Sequence, residues 1–337
     1  MLNVAVAGLG YFSQFHLAAW QKNEHAHLVG VCDPDETQLA PHQNVAKAAS
    51  LDKLLQGVPA DIVDIIAPPH AHAALIRTSL AKGRTIICQK PFATSPAEAL
   101  ALTEEAEAAG STLVIHENFR FQPWYRTLKA FLNSGQMGQV YQIHFALRPG
   151  DGRGPDAYLS RQPFFQQMPR LLIHETAVHF IDLFQWLLGD IESVYADLRQ
   201  LNPVIAGEDA GHMILHHASG ARSVFDGNRL ADNGAENPRK TMGVMTLEGE
   251  GGTVTLTAEG ILNFRNFGSQ DFEIIANMFP VDDNSFGGGC VGALIDHVVA
   301  TRLAGTRPEN TAREYLKVVT ACEAAYQSAK EGRRIDL

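Results

Sequence analysis

The stretch Asn3-Val4-Ala5-Val6-Ala7-Gly8-Leu9-Gly10-Tyr11-Phe12-Ser13 decides how this chain is read. Its first five residues form an apolar run with the length of a buried parallel strand, and glycine ends it at once. Beyond the glycines, Phe12, Phe15 and Ala19 recur at helical spacing, and His27-Leu28-Val29-Gly30-Val31-Cys32 reads as a second strand ending in Asp33. Strand, glycine turn, helix and strand within about 30 residues make one βαβ unit. In such a unit Gly8 permits the tight turn and Gly10 lets the backbone approach a pyrophosphate. A helix beginning near Tyr11 and Phe12 then aims its free N–H groups and positive dipole end at the phosphates. Ser13 occupies the place of the third glycine and is small enough for close helix packing. Asp33 follows Ser13 by 20 residues, where a carboxylate bonds ribose hydroxyls. The same charge repels a 2′-phosphate, which argues for NAD over NADP. An ordinary glycine turn would explain the loop but not the acid at this distance.

The totals frame that reading. At 337 residues, with 45% hydrophobic and 19% charged, the chain has an ordinary globular composition and suits two domains. No apolar run approaches the roughly 18 residues of a membrane span, and the chain opens on a strand without a basic leader, so a cytoplasmic protein with no membrane partner is expected. A formal charge of −10, from 27 basic and 37 acidic residues, gives no electrostatic reason to bind nucleic acid. The four cysteines, Cys32, Cys88, Cys290 and Cys322, are far apart and form no C-x-x-C pair, so reduced core residues are expected and not disulfides or metal ligands.

The α/β rhythm continues with a helix near Leu51 to Gln56 and strands at 61–66, 85–88 and 112–115. Helices follow Pro69 and Ser95, the second announced by a capping box, Ser95 to Glu98, with Pro96 at its first position. This predicts a Rossmann-type doubly wound parallel sheet over residues 1–120. The rhythm then changes. Strand-like segments at 140–147, 193–198, 212–217, 222–228, 243–247, 253–257 and 272–276 are joined by glycine turns, which predicts a mainly antiparallel sheet in an α+β domain over 121–337. Helices near 124–132, 175–188, 291–303 and 311–330 accompany it, and the final ones have the option of packing back on the first domain. The loop from Pro149 to Pro169 is long and irregular, the kind that marks function or disorder.

Ligands of open α/β sheets sit beyond the carboxyl ends of the strands. The residues placed there are Gly8 to Ser13, Asp33, Pro68 to His72, Gln89-Lys90-Pro91 and Asn118 to Phe121. Gly8, Gly10, Tyr11, Phe12, Asp33, Pro68, His72, Gln89 and Lys90 are accordingly the candidate cofactor contacts. Lys90 stands out because it leaves a buried strand between a polar side chain and a proline; a solvated lysine at a loop start is the competing reading. In the second domain Glu175, His179 and Asp182 fall four and three residues apart on an otherwise apolar helix, which stacks them on one stripe. A polar seam against a loop would look the same. His174 and His179 are five apart and diverge on an α-helix, so the H-E-x-x-H zinc arrangement is not met and no metal is expected.

Taken together these positions resemble the glucose-fructose oxidoreductase, inositol dehydrogenase and rhizopine-catabolism (Gfo/Idh/MocA) family over essentially the whole chain. The resemblance is carried by Gly8-Leu9-Gly10 with His16, by Asp33, and by Ala67-Pro68-Pro69-His70-Ala71-His72. It continues through Gln89-Lys90-Pro91 in place of a Glu-Lys-Pro signature, Asn118-Phe119-Arg120-Phe121-Gln122-Pro123, the helix Glu175-Thr176-Ala177-Val178-His179, and the tail before Gly332. The chain departs from the family pattern at Ser13, at Gln89 for Glu, and at Glu175 for Asp with Ala177 for Gly. The resemblance implies an NAD(P)-dependent oxidoreductase acting on a secondary alcohol or ketone of a carbohydrate-like small molecule. His179 would be the base, Lys90 would polarise the substrate oxygen and Glu175 would orient them. Arg120, Tyr158 and Arg161 are candidate substrate contacts from neighbouring loops. It also implies a homodimer or homotetramer formed through the second-domain sheet. Two other classes remain open: a lyase or glycosidase that uses the same residues to oxidise its substrate transiently, and a non-catalytic dinucleotide-binding regulator built on the same fold, which would have no need of Lys90 and His179.

Overall fold

A computed structural model describes residues 1–337 and divides the chain into two compact units. Met1–Asn118 with Cys290–Lys317 form one, and Phe119–Gly289 with Val318–Leu337 the other. The first unit opens with β1 (Leu2–Ala7), α1 (Ser13–Lys22), β2 (Ala26–Cys32), α2 (Glu36–Leu39), β3 (Ala46–Ala48), α3 (Leu51–Gly57) and β4 (Ile62–Ile65). It continues through α4 (Pro69–Ser79), β5 (Thr85–Gln89), α5 (Pro96–Ala108) and β6 (Thr112–His116). The strands run parallel in the order β3-β2-β1-β4-β5-β6. Every residue of β4 and β5 is buried, as central strands covered on both faces require. The order reverses between β1 and β4, and the glycine turn after β1 opens at that switch point.

Local features of this unit differ from the sequence reading, the short helix α2 among them. The edge strand β3 was not foreseen, because three residues of Ala-Lys-Ala carry too little pattern to register. At α5, the Ser95 hydroxyl accepts from the Glu98 amide (3.2 Å), but the Glu98 carboxylate turns to the amide and hydroxyl of Thr94, one residue before the cap.

The second unit holds α6 (Pro123–Asn133), β7 (Val140–Leu147), α7 (Val178–Leu188), β8 (Ile191–Arg199), β9 (Ala210–His217), β10 (Arg222–Asn228), β11 (Gly243–Gly249), β12 (Gly252–Leu256), β13 (Leu262–Asn266) and β14 (Glu273–Ile275). The chain closes with α8 (Cys290–Ala304), α9 (Ala312–Glu331) and β15 (Ile335–Asp336). The nine-stranded sheet has the order β14-β13-β12-β11-β7-β10-β9-β8-β15 and is antiparallel except where β7 meets β10. Its strands alternate buried and open positions, so one face packs inward. On that face Phe180 of α7 stacks on Phe145 of β7 at 4.0 Å and meets Phe225 of β10 at 5.4 Å. Tyr141, Tyr195 and Val244 remain exposed on other positions of the same strands. The strands β13 and β15 were missing from the sequence reading. In the first unit α8 packs against α1. All four cysteines are free and buried, and no helix is long and apolar enough to cross a membrane.

The segment from Pro149 to Pro169 is ordered by its contacts. Ala157, Tyr158 and Phe165 form a small core with Leu171 and Ile205, and Asn202 donates to the carbonyls of Gly152 and Gly154. Arg229, just after β10, ties this loop down: Nε donates to the Tyr158 hydroxyl (2.6 Å), Nη2 to Asp151 (3.4 Å) and Nη1 to Thr176. A buried cation is tolerable only while all of these partners are present. Replacing it by a similar volume without charge, Arg229→Met, is expected to lower the unfolding free energy by about 1–3 kcal/mol, since Asp151 keeps Arg161 while the Tyr158 and Thr176 contacts are lost, read by urea denaturation. A variant as stable as the parent would show that the arginine does not hold the loop.

Candidate functional site

The turn after β1 is built by close backbone approach. Gly8 has φ +96°, and a Cβ placed there would lie 2.7 Å from the carbonyl of Ile66 and 2.8 Å from the Ala67 nitrogen. No other residue fits both the conformation and the space. At Gly10 a Cβ would meet nothing within 4 Å, so the backbone faces open space. The Ser13 hydroxyl donates to the Gly10 carbonyl (2.7 Å) and closes the turn in the place of a third glycine. The helix starts at Ser13, not near Tyr11, and Tyr11 and Phe12 lie in the turn with their rings against Phe15. Asp33 accepts from the Leu9 amide through Oδ2 (2.8 Å) and from the Asp35 amide through Oδ1 (2.9 Å), which pins the carboxylate beside the glycine turn. A carboxylate has about four lone-pair positions, so acceptor capacity remains for ribose hydroxyls. A turn open at Gly10, a helix start and a fixed acid fit a dinucleotide.

The setting of Lys90 is equally specific. His72, on α4, is fully buried; its ring nitrogens face the carbonyls of Ala67 (2.7 Å) and Pro91 (3.0 Å). The histidine therefore fastens the loop after β4 to the segment that carries Lys90, and Pro68 stands at the head of that loop as the N-cap of α4. Gln89 closes β5, and its amide nitrogen lies 2.7 Å from Nε2 of His16 and 3.1 Å from Nδ1 of His116. His16 in turn meets Asp64, as does the Trp20 indole. Neither Asp64 nor His116 was singled out from the sequence. Asp64 did leave a signal, an acid inside the apolar strand Ile62-Val63-Asp64-Ile65, since buried acids need partners.

In the second unit the helix expected from Glu175 to Leu188 begins differently. Leu172–Ala177 is a wider, π-helical turn, and the α-helix starts at Val178. Glu208 accepts from the Ile173 amide (3.1 Å) and from the Tyr326 hydroxyl (2.6 Å), and that hydroxyl takes the His174 amide (3.2 Å). Burial, reinforced by Glu208, pushes the Tyr326 phenol far up, so it stays a donor. Glu175 and His179 therefore do not share the plain α-helical spacing assumed from sequence. Wide turns of this kind concentrate at functional sites. The His179 ring is buried and lies flat on Phe119, centroids 4.0 Å apart and planes within 3°. Asp182, the third member of the expected stripe, is bound by Arg120 through Nε (2.8 Å) and Nη2. Tyr158 is 5% exposed, with its hydroxyl between Arg229 and Asp151, and burial pushes its phenol up to about 12. Arg161 reaches the same Asp151 (3.2 Å). The buried Arg229 is the member of this cluster that the sequence did not mark. No three His, Cys, Asp or Glu side chains group closely enough to hold a metal ion.

Residues 2–117 match a family described as an oxidoreductase family with an NAD-binding Rossmann fold, and residues 125–255 match the GFO/IDH/MocA C-terminal domain. Fold, glycine turn and matched domains define an NAD-dependent oxidoreductase with two domains. The chain belongs to the GFO/IDH/MocA family. Among its relatives is a D-apiose dehydrogenase of Paraburkholderia graminis, 30% identical over 99% of this chain and 89% of that one. A D-apiose dehydrogenase of Rhizobium rhizogenes is 28% identical over 100% of this chain and 97% of its own. The crystal structure of an oxidoreductase from Agrobacterium radiobacter in complex with NAD+, L-tartaric acid and magnesium is 28% identical. It superposes with a TM-score of 0.90 over 99% of this chain and 98% of that one.

Burial lowers the imidazole of His72 below its ordinary value of 6.5, against the pull of its carbonyl partners, and does the same at His217 of β9. The folded chain thus refuses protons that the unfolded chain accepts. Stability is complete above about pH 6.5 and falls as the pH drops below it. Urea titrations between about pH 7.5 and 5 should show that decline, with a shallower slope for His72→Gln; an unchanged slope would acquit His72.

Proposed function

We propose that this enzyme moves a hydride between NAD and a CH–OH group of a small sugar, polyol or related hydroxylated molecule. The observation that carries the reading is the pair of fixed supports: Lys90 leaves a strand end fastened by His72 and Gln89, and His179 is held flat on Phe119. The D-apiose relatives, matched over 89% and 97% of their own lengths, make D-apiose and kindred sugars the first substrates to try. L-Tartaric acid, bound in the Agrobacterium structure, adds hydroxy acids to the panel.

Gly8, Gly10, Asp33 and the start of α1 hold the dinucleotide, which when bound supplies the acceptor for the carbinol hydrogen. The Lys90 ammonium donates to the substrate oxygen and stabilises the alkoxide charge as it develops. His179 takes the hydroxyl proton, and in reduction returns it to the carbonyl oxygen. Glu175, beside Thr176 and the Arg229 anchor, orients the polar groups around the reacting carbon. Arg120 serves through Asp182, and Tyr158 and Arg161 through Asp151, by shaping the walls against which a substrate rests.

Residues that act as a unit are not additive. Lys90→Ala and His179→Ala should each lower kcat by about 10²–10⁴-fold, and the double variant should fall little further. NADH formation at 340 nm across the sugar panel measures this. Two effects that simply multiply would mean the residues work independently.

The exposed face carrying Tyr141, Tyr195 and Val244 fits a second copy of the chain, giving a homodimer or homotetramer. Light scattering coupled to size exclusion should give two or four subunits, and Tyr141→Lys combined with Val244→Lys should reduce the mass; a single-chain mass for the parent would refute the assembly. Four buried reduced thiols suit a reducing compartment, and the cytoplasm is the proposed location.

A further inference from the structure

Beneath the strand ends of the first unit lies a chain of buried side chains that the reaction itself does not use. His16 and Asp64 are fully buried, His116 is 1% exposed and Gln89 9%. Trp20 Nε1 lies 2.7 Å from Asp64 Oδ2, and an indole N–H can only donate, so that oxygen is an acceptor. His16 Nδ1 meets the same oxygen at 2.8 Å. What faces the other side of the ring, at Nε2, is the amide nitrogen of Gln89 at 2.7 Å. An amide nitrogen donates, so Nε2 presents its lone pair and the imidazole is neutral. The second amide hydrogen points to Nδ1 of His116 at 3.1 Å, whose ring packs 4.2 Å from that of His16. The bonds therefore run one way, from Gln89 through His16 to Asp64, with the Gln89 amide fixing the direction.

From this geometry we propose that Gln89 is a positioning residue: its amide holds His16 and His116 as neutral acceptors and thereby fixes the end of β5 from which Lys90 departs. A carboxylate at 89, as in the Glu-Lys-Pro signature, would set lone pair against lone pair at both rings. It could be seated only if His16 took a second proton. Here the buried acid stands one strand away, at Asp64, which pairs in register with Ile87 of β5. The other titratable groups around the cluster are Cys88, whose thiol burial and Asp64 hold well above its ordinary value, Glu117 after β6, Lys90, and His72 across the Pro91 carbonyl. The kinetic part of the idea rests on the role proposed for Lys90; the protonation part does not.

The test uses the full chain with ¹⁵N-labelled histidine, followed by two-bond ¹H–¹⁵N correlation at neutral pH, with Gln89→Met and Gln89→Glu beside the parent. In the parent, His16 should carry its hydrogen on Nδ1 alone. Gln89→Met, which fills the space without donating, should lower the folding equilibrium constant roughly 10–100-fold for two lost hydrogen bonds and lower kcat/KM. Gln89→Glu should show His16 protonated on both nitrogens. Should Gln89→Glu fail to fold, the parent spectrum decides alone. Proton on Nε2 or on both nitrogens in the parent, or a neutral His16 in a folded Gln89→Glu, would overturn the proposal. If the sugar panel yields no turnover, the tautomer result still stands or falls by itself.

Discussion

The contact on which the first unit depends is the approach of Gly8 to the backbone of Ile66 and Ala67. Because no side chain separates them, the end of β1 and the end of β4 lie against each other, and the turn between β1 and α1 is held open at Gly10. That same turn delivers the Leu9 amide to Asp33, so the acid at the end of β2 is set by the glycine loop itself. The other end of the Ile66-Ala67 segment is seized by His72, which carries the constraint on to Pro91 and so to Lys90. One steric requirement at a glycine thus passes through two strand ends to the segment that carries Lys90.

Much of this was legible because its causes are local. A buried parallel strand is an unbroken apolar run, a glycine turn announces itself, and Asp33 stands at a distance that the βαβ unit dictates. Strands β7 and β10 fall at the residues expected, since strict alternation on a half-buried sheet leaves little freedom. What was missed is short or depends on partners distant in sequence. β15 is two residues long and exists only because β8 offers an edge to pair with. The ordered course of Pro149 to Pro169 depends on Arg229, 71 residues beyond Tyr158, and no local pattern tells a buried arginine from a surface one.

The turn before α7 shows where periodicity misleads. Counting at 3.6 residues per turn stacks Glu175, His179 and Asp182, but the extra residue per turn in Leu172–Ala177 changes where Glu175 stands. The cause lies outside the segment: Glu208 and Tyr326 satisfy backbone amides at Ile173 and His174 that a regular helix would have to satisfy otherwise. Asp182, given the same weight as its neighbours from spacing alone, is drawn to Arg120. Polar groups on an apolar helix do need partners, but the sequence cannot say that Asp182 will find an arginine.

Gln89 and Asp64 complete that lesson from the opposite side. Each looks anomalous alone, an amide where a signature has an acid and an acid where a strand should be apolar. Hydrogen-bond polarity reconciles them, because a buried imidazole can accept on one nitrogen only if it donates on the other. With His16 donating to Asp64, a neutral ring needs a donor at 89, and glutamine is the side chain of glutamate's length that supplies one. The support under Lys90 is therefore determined by direction as well as distance, a property that neither residue reveals until the ring between them is in place.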